Sequence, residues 1–181
     1  MKSIVFSILV FASLNSYAQK FMTKTGSVAF SASTPIEKIE GINKSSACLL
    51  DSKTGSLDFI VSIKSFVFEK QLMQEHFNEN YMESDKFQKS SFKGTILNLS
   101  SINFSKDGEY NAEVAGKLTI HGVTKDIKSV GKIIIKNGKP NLKSSFSVLL
   151  ADYKIDIPGA VKDKISKDVK ITINCMLEAM K

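Results

Sequence analysis

The chain has 181 residues and a formal net charge of +7, and its 25 basic side chains, all of them lysines, face 18 acids. Readers of nucleic acids depend on arginine for bidentate contacts, and the lysines here alternate with acids, so a nucleic-acid partner is disfavoured. We interpret the lysines as a solubilising surface, with contact to anionic membrane surfaces as the alternative.

Residues 1–18 have the pattern of an export signal. One lysine precedes an apolar run over residues 4–14, and Ser16 and Ala18 are the small residues that a signal peptidase reads. The run is shorter than the roughly 20 residues of a transmembrane helix, and no later segment approaches that length. We therefore expect a mature domain over residues 19–181, in the periplasm or secreted.

Most of the remaining chain alternates between apolar and polar residues, as β-strands with one buried face do. About eight strands are predicted in this way. In chain order they cover residues 21–32, 45–50, 57–63, 91–99, 110–120, 123–136, 141–150 and 168–178. Short turns rich in glycine separate several of these strands, which is typical of antiparallel neighbours.

Three segments do not follow this alternation. Residues 68–87 have apolar side chains nearer to helical spacing, so one or two short helices are expected there. Another short helix is expected after Pro158, because proline suits the first turn of a helix. Residues 34–37 are interpreted as a further brief helical turn.

The fold class follows from the number of strands. An antiparallel sheet of about eight strands has two exposed edges unless it closes on itself, so the sequence predicts an all-β antiparallel barrel. A sandwich of two sheets is the alternative. A barrel of this size is filled either by its own side chains or by one small ligand.

A resemblance to a known family appears in residues 116–127, with the sequence GKLTIHGVTKDI. This hairpin resembles the signature of the YceI-like family, G-x-L-T, an apolar residue, His or Asn, then G-V-T-K. Residues 75–94 and 151–155 are similar to further segments of that family, so the resemblance covers residues 20–179. It implies a lipocalin-like barrel, periplasmic or outside the cell, that binds an isoprenoid lipid or quinone in its lumen.

The hairpin also allows a prediction of register. A two-residue turn at His121 and Gly122 pairs Leu118 with Lys125, which places this lysine on the apolar face of the hairpin. There it would hydrogen-bond the head group of a ligand at the barrel mouth; the alternative is that it extends into solvent. His121 is expected to serve the turn through a positive φ rather than to transfer protons.

The candidate ligand-binding residues are those whose side chains share the apolar strand faces, together with two polar residues expected at the mouth. They are Leu57, Phe59, Val61, Ile63, Phe92, Ile96, Val114, Leu118, Phe146, Val148, Ile171, Ile173, Lys125 and His76. The competing hypothesis is a structural or interaction module of the cell envelope whose barrel is filled by side chains. The oligomeric state stays open, with a homodimer as one alternative.

No enzyme motif is recognisable: there is no nucleophile elbow, phosphate loop or histidine-rich metal motif. We therefore expect no catalytic residue, no metal and no cofactor apart from a bound isoprenoid lipid or quinone. Cys48 and Cys175 are predicted to lie two strands apart in the barrel. That is roughly 9.5 Å, too far for a disulfide, so free thiols are expected.

Overall fold

The computed structural model describes residues 20–180, and these form a closed antiparallel barrel. The strands are β1 (Lys20–Ser31), β2 (Glu40–Asp51), β3 (Ser56–Ser62), β4 (Lys89–Ile96), β5 (Gly108–Ile120), β6 (Val123–Lys136), β7 (Lys139–Leu149), β8 (Asp168–Met176) and β9 (Glu178–Ala179). Strands β1 to β8 pair in sequence order, and β1 also pairs with β8. The predicted barrel is confirmed, and the sandwich is excluded. The predicted export signal lies outside the described residues.

Helical structure is confined to short segments. The α-helix α1 (Gln71–His76) continues into a π-helical turn (Phe77–Tyr81), as the helical spacing of residues 68–87 predicts. A single 3₁₀ turn follows Pro158. Within residues 20–180 no helix is long and apolar enough to cross a membrane.

The predicted helical turn over residues 34–37 is wrong. The Thr34 amide donates to the Glu37 carbonyl, which is the opposite direction from a helical hydrogen bond. In return, the Thr34 hydroxyl accepts from the amides of Ile36 and Glu37, so the side chain closes a compact loop in place of a helix.

The two ends of the barrel differ in structure. One end, here called the plugged end, is filled by a cluster of buried side chains that includes Phe21, Leu50 and Leu177. The other, here called the connection end, carries the β5–β6 turn and three long connections, residues 32–39, 63–88 and 150–167. Since the plugged end is packed, any internal space lies towards the connection end.

Strand β2 begins earlier than the predicted residue 45, because it contains a bulge around a buried asparagine. Asn43 is fully buried. Its Nδ2 donates to the Ser62 carbonyl at 2.9 Å, and its Oδ1 accepts from the Ser45 amide at 2.8 Å and the Ser46 hydroxyl at 3.1 Å. The register between β1 and β2 shifts between Gly26 and Val28, opposite these residues. The asparagine therefore satisfies backbone groups that the bulge leaves unpaired.

Replacing Asn43 with alanine is expected to lower the free energy of unfolding by about 2–3 kcal/mol, because buried partners lose their hydrogen bonds. Urea denaturation measures this loss. Asn111→Ala is a suitable control, since Asn111 is exposed on the outside of β5. A similar loss for both variants would show that the buried network does not stabilise the fold.

Cys48 and Cys175 are free, buried thiols in the plugged end. They belong to β2 and β8, on either side of β1, as the predicted strand order requires. Gly26 of β1 makes room for Cys175, because a Cβ atom there would lie 2.5 Å from the Cys175 sulfur. Burial raises the pKa of Cys175 to about 11 and raises the pKa of Cys48 further.

These raised pKa values predict a loss of stability in alkali. Thiols of the unfolded chain ionise around their ordinary pKa of 9.0, whereas the folded thiols stay neutral, so rising pH favours unfolding. Each thiol contributes a slope of up to about 1.4 kcal/mol per pH unit. Urea denaturation between neutral pH and about pH 10 measures the slope. The double variant Cys48→Ala, Cys175→Ala should be much less sensitive; an unchanged slope would contradict the assignment to the thiols.

Candidate functional site

An internal cavity of about 520 Å³ lies between the plugged end and the connection end. This volume falls within the range of roughly 300–1,000 Å³ that is usual for small-molecule sites. Its deepest part is formed by the buried side chains Leu57, Ile96, Ala112, Ile133 and Leu142. Because the inner faces of the strands are apolar, the walls offer a ligand dispersion contacts and few hydrogen bonds.

Almost all of the predicted site residues line this cavity. They are Leu57, Phe59, Val61, Ile63, Phe92, Ile96, Val114, Leu118, Phe146, Val148, Ile171, Ile173 and His76. The structure thus brings together side chains from five strands and from the segment that follows β3. Contact of these residues with a ligand stays a prediction.

Lys125 is the exception. The predicted register is confirmed, since Leu118 pairs with Lys125, and His121 and Gly122 have φ values of 49° and 72°. The lysine is nevertheless exposed and lies outside the cavity lining. The physical reason is that β6 has no ladder partner on its β7 side at this position, so nothing encloses the side chain.

Two facing glycines shape the wall beside Phe92. Gly94 of β4 pairs with Gly116 of β5, the first residue of the G-x-L-T sequence. A Cβ atom on Gly94 would lie 2.4 Å from Cζ of Phe92, and one on Gly116 would lie 2.7 Å from the same atom. The Phe92 ring therefore rests against both backbones and extends along the cavity wall.

An aromatic cluster covers part of the connection end. The ring centroids of Phe30 and Phe77 are 5.2 Å apart, those of Phe30 and Phe66 are 5.3 Å apart, and those of Phe68 and Phe77 are 5.0 Å apart. All four rings line the cavity. Residues from β1, from the segment after β3 and from the helical region thus form an apolar roof.

Several polar groups of the cavity lie around this roof. His76 is exposed, and Lys70 forms an ion pair with Glu37 at 3.1 Å. Burial raises the pKa of Tyr81 and, together with nearby Asp152, that of Tyr153. The tyrosines therefore stay neutral hydrogen-bonding groups at physiological pH.

His121 links the β5–β6 turn to two of the long connections. Its Nε2 lies 2.7 Å from Oε2 of Glu83, and its Nδ1 lies 3.2 Å from the Tyr153 carbonyl oxygen. The ring also packs edge-on against Phe87, with centroids 4.4 Å apart. The expected positive φ is confirmed, and the side chain has this additional structural role, which sequence reasoning missed.

Within residues 20–180, no group of three or more His, Cys, Asp or Glu side chains is placed to hold a metal ion. What the site can do chemically is enclose an apolar chain, with polar contacts available near the connection end.

The YceI-like domain family matches residues 13–177. The chain belongs to the YceI-like family. None of the curated protein sequences compared with this YceI-like chain matches it.

Solved structures share the YceI-like fold at low sequence identity. A polyisoprenoid-binding domain from Saccharophagus degradans, implicated in plant cell wall breakdown, aligns with a TM-score of 0.77 at 11% identity, over 90% of this chain and 99% of that one. BcnA from Burkholderia cenocepacia aligns at 0.67 and 14% identity, over 84% and 95%. A YCEI protein from Campylobacter jejuni aligns at 0.61 and 20% identity, over 82% and 88%. At these identities the likeness shows the fold alone.

Proposed function

We propose that this protein binds and carries an isoprenoid lipid or a quinone-like amphiphile in its barrel cavity, and that it is not an enzyme. The observation that carries the proposal is the large apolar cavity inside a closed barrel. The family supports it, since one neighbour of the same fold is a polyisoprenoid-binding domain.

The energetics are sufficient for carriage. Burying a methylene-sized group contributes about 0.8 kcal/mol, so a five-carbon isoprene unit contributes several kcal/mol. Association costs about 4–15 kcal/mol, because the ligand and the protein lose translational and rotational freedom relative to each other. A tail of a few units is therefore enough for measurable binding without strong polar contacts.

The decisive experiment is mass spectrometry of organic extracts from the purified protein, followed by titration with a prenylquinone and a polyprenol. We expect a co-purifying apolar chain or saturable binding of at least one probe. Protein that is always empty and binds neither probe would refute carriage.

Export belongs to this proposal as well. We expect a periplasmic or secreted protein whose mature chain begins at Gln19, after residues 1–18 are removed. Amino-terminal sequencing of the protein from its native host tests this. A chain that retains residues 1–18 in the cytoplasm would contradict it.

The competing hypothesis is an interaction module with a side-chain-filled barrel. The packing of the plugged end agrees with it, because Phe21, Leu50 and Leu177 occupy the interior there. The open cavity beyond that cluster favours carriage instead. Empty protein that captures an envelope partner would support the competing hypothesis.

A further inference from the structure

The barrel wall is incomplete between β6 and β7. The two strands pair only between residues 131–136 and 139–144. Beyond this ladder, residues 123–130 of β6 pair with β5 alone, and residues 145–149 of β7 pair with β8 alone. These two unpaired stretches border an opening in the wall, which we call the side split.

The cavity reaches the side split. Ile127 and Ser129 on the β6 border and Phe146 and Val148 on the β7 border all line the cavity, and all four are half-buried. By contrast, Ile133, which faces inward where the two strands are paired, is only 2% exposed. The lining is thus more accessible beside the split than where the wall is closed.

Side-chain hydrogen bonds mark both ends of the side split. At the lower end the hydroxyl of Ser144 donates to the Val130 carbonyl at 2.8 Å and lies 3.1 Å from the Ser129 hydroxyl. At the upper end, His121 Nδ1 lies 3.2 Å from the Tyr153 carbonyl oxygen. The side split is therefore an opening that hydrogen bonds limit at both ends, and it is not the loose end of a strand.

The exposed surface around the split is both apolar and basic. Val130 is 70% exposed and Leu149 is 51% exposed, one on each border. Lys125, Lys128 and Lys143 are exposed, and within residues 20–180 none of the three forms an ion pair. Exposed apolar side chains among free lysines are the features of a surface that binds anionic membranes.

The charge distribution distinguishes this surface from the connection end. Strands β6, β7 and β8 carry seven lysines and two acids, although Lys132 and Lys139 pair with Glu109 and Glu178. The three long connections carry eight lysines and nine acids. The strands that carry the side split therefore have a net positive charge, whereas the connections have a small excess of acids.

We propose that the side split docks on an anionic lipid surface, and that the apolar chain of the ligand passes through it between the bilayer and the cavity. This rests on the proposed function, because it assumes a lipid-like ligand. In this arrangement Val130 and Leu149 enter the interface, the lysines contact the head groups, and the chain reaches the cavity between β6 and β7 without crossing water.

The first test measures docking without any ligand. Vesicles of equal parts phosphatidylglycerol and phosphatidylcholine should sediment the protein, and vesicles of phosphatidylcholine alone should not. Each lysine near the surface contributes about fivefold in partitioning, so Lys128→Glu with Lys143→Glu should weaken binding about 25-fold or more. The matched control is Lys44→Glu with Lys93→Glu, on β2 and β4. Equal losses for the two pairs would overturn the proposal.

The second test locates the docked face. A fluorophore on Val130→Cys should be quenched by nitroxide-bearing lipids, and one on Leu72→Cys, on α1 at the connection end, should not; the native cysteines are buried. The reverse result would assign docking to the connection end. Quenching at neither site would refute membrane docking.

The third test separates this inference from the function on which it rests. Prenylquinone binding is first titrated in detergent solution, and transfer from anionic vesicles is then measured for the wild type and both lysine pairs. If the quinone binds in detergent but transfer is equal in all three proteins, docking and passage at the side split are refuted, and the proposal of carriage still stands. Absent binding in detergent would refute carriage, whatever the vesicle result.

Discussion

Replacing Gly116 with alanine is expected to lower the free energy of unfolding by about 3 kcal/mol, because the wall has no room for another atom. The new Cβ would lie 2.4 Å from the Lys93 carbonyl oxygen and 2.5 Å from Cα of Gly94. Both contacts are with backbone, which cannot rotate away as a side chain would. Relief requires that β4 and β5 separate, and the Phe92 ring, 2.7 Å from the new Cβ, must shift as well. Urea denaturation followed by circular dichroism measures the loss.

Gly159→Ala is the matched control for this prediction. Gly159 has no atoms within 4 Å of an added Cβ, and its φ is not positive. The same substitution should therefore change stability little there. Alanine restricts the unfolded chain and by itself favours folding, so losses of similar size at both sites would contradict the assignment of the cost to the contact between the strands.

Replacing Ala112 with leucine is expected to shorten the cavity at its deep end. Ala112 is buried, lines the cavity and packs with the plugged-end cluster. Leucine adds three carbon atoms, which would displace about three methylene-sized groups of a long tail at roughly 0.8 kcal/mol each. Binding of a long prenyl chain should weaken about 50-fold, and binding of a short one should stay the same. Titration with a series of prenylquinones of increasing length measures both.

The control lies on the same strand and faces outward. Ala115→Leu makes the same chemical change on β5 at a position outside the cavity lining, paired with Lys128. It should not alter affinity for any chain length. Equal weakening of long and short ligands by Ala112→Leu would show that the variant distorts the barrel and does not shorten the cavity, and no effect on long ligands would place their tails elsewhere.

Most of the barrel could be predicted from the sequence, because strand alternation and turn residues are local signals. The alternation over residues 123–136 gives the bounds of β6 as they are observed, and the turn at His121 gives the register of the hairpin. The early part of β2 could not be predicted in this way. Its buried positions include the polar residues Asn43 and Ser46, which a bulge satisfies, so the segment has no apolar alternation.

The candidate site was predictable only in part, for a similar reason. Inward-facing strand residues follow from parity, but the absence of a ladder beside a strand does not. Parity alone therefore could not decide between cavity and solvent for Lys125, and the structure has it exposed outside the cavity lining. The apolar roof combines Phe30 of β1 with Phe77, which is distant from it in the sequence. In the same way, the His121 side chain contacts Glu83, which lies 38 residues earlier in the chain. Contacts of this kind depend on how the connections fold over the barrel, and no short sequence pattern encodes them.

Closure of the barrel joins the two ends of the described chain. Residues 27–31 of β1 pair with residues 170–174 of β8, whereas the other ladders among the eight barrel strands join consecutive strands. Contacts over such long separations form slowly, because a large loop has to close. The chain can thus assemble β1 to β7 as an open meander, but its cavity exists only after residues 170–174 have paired with β1. Until then the free edges of β1 and β7 can associate with other chains.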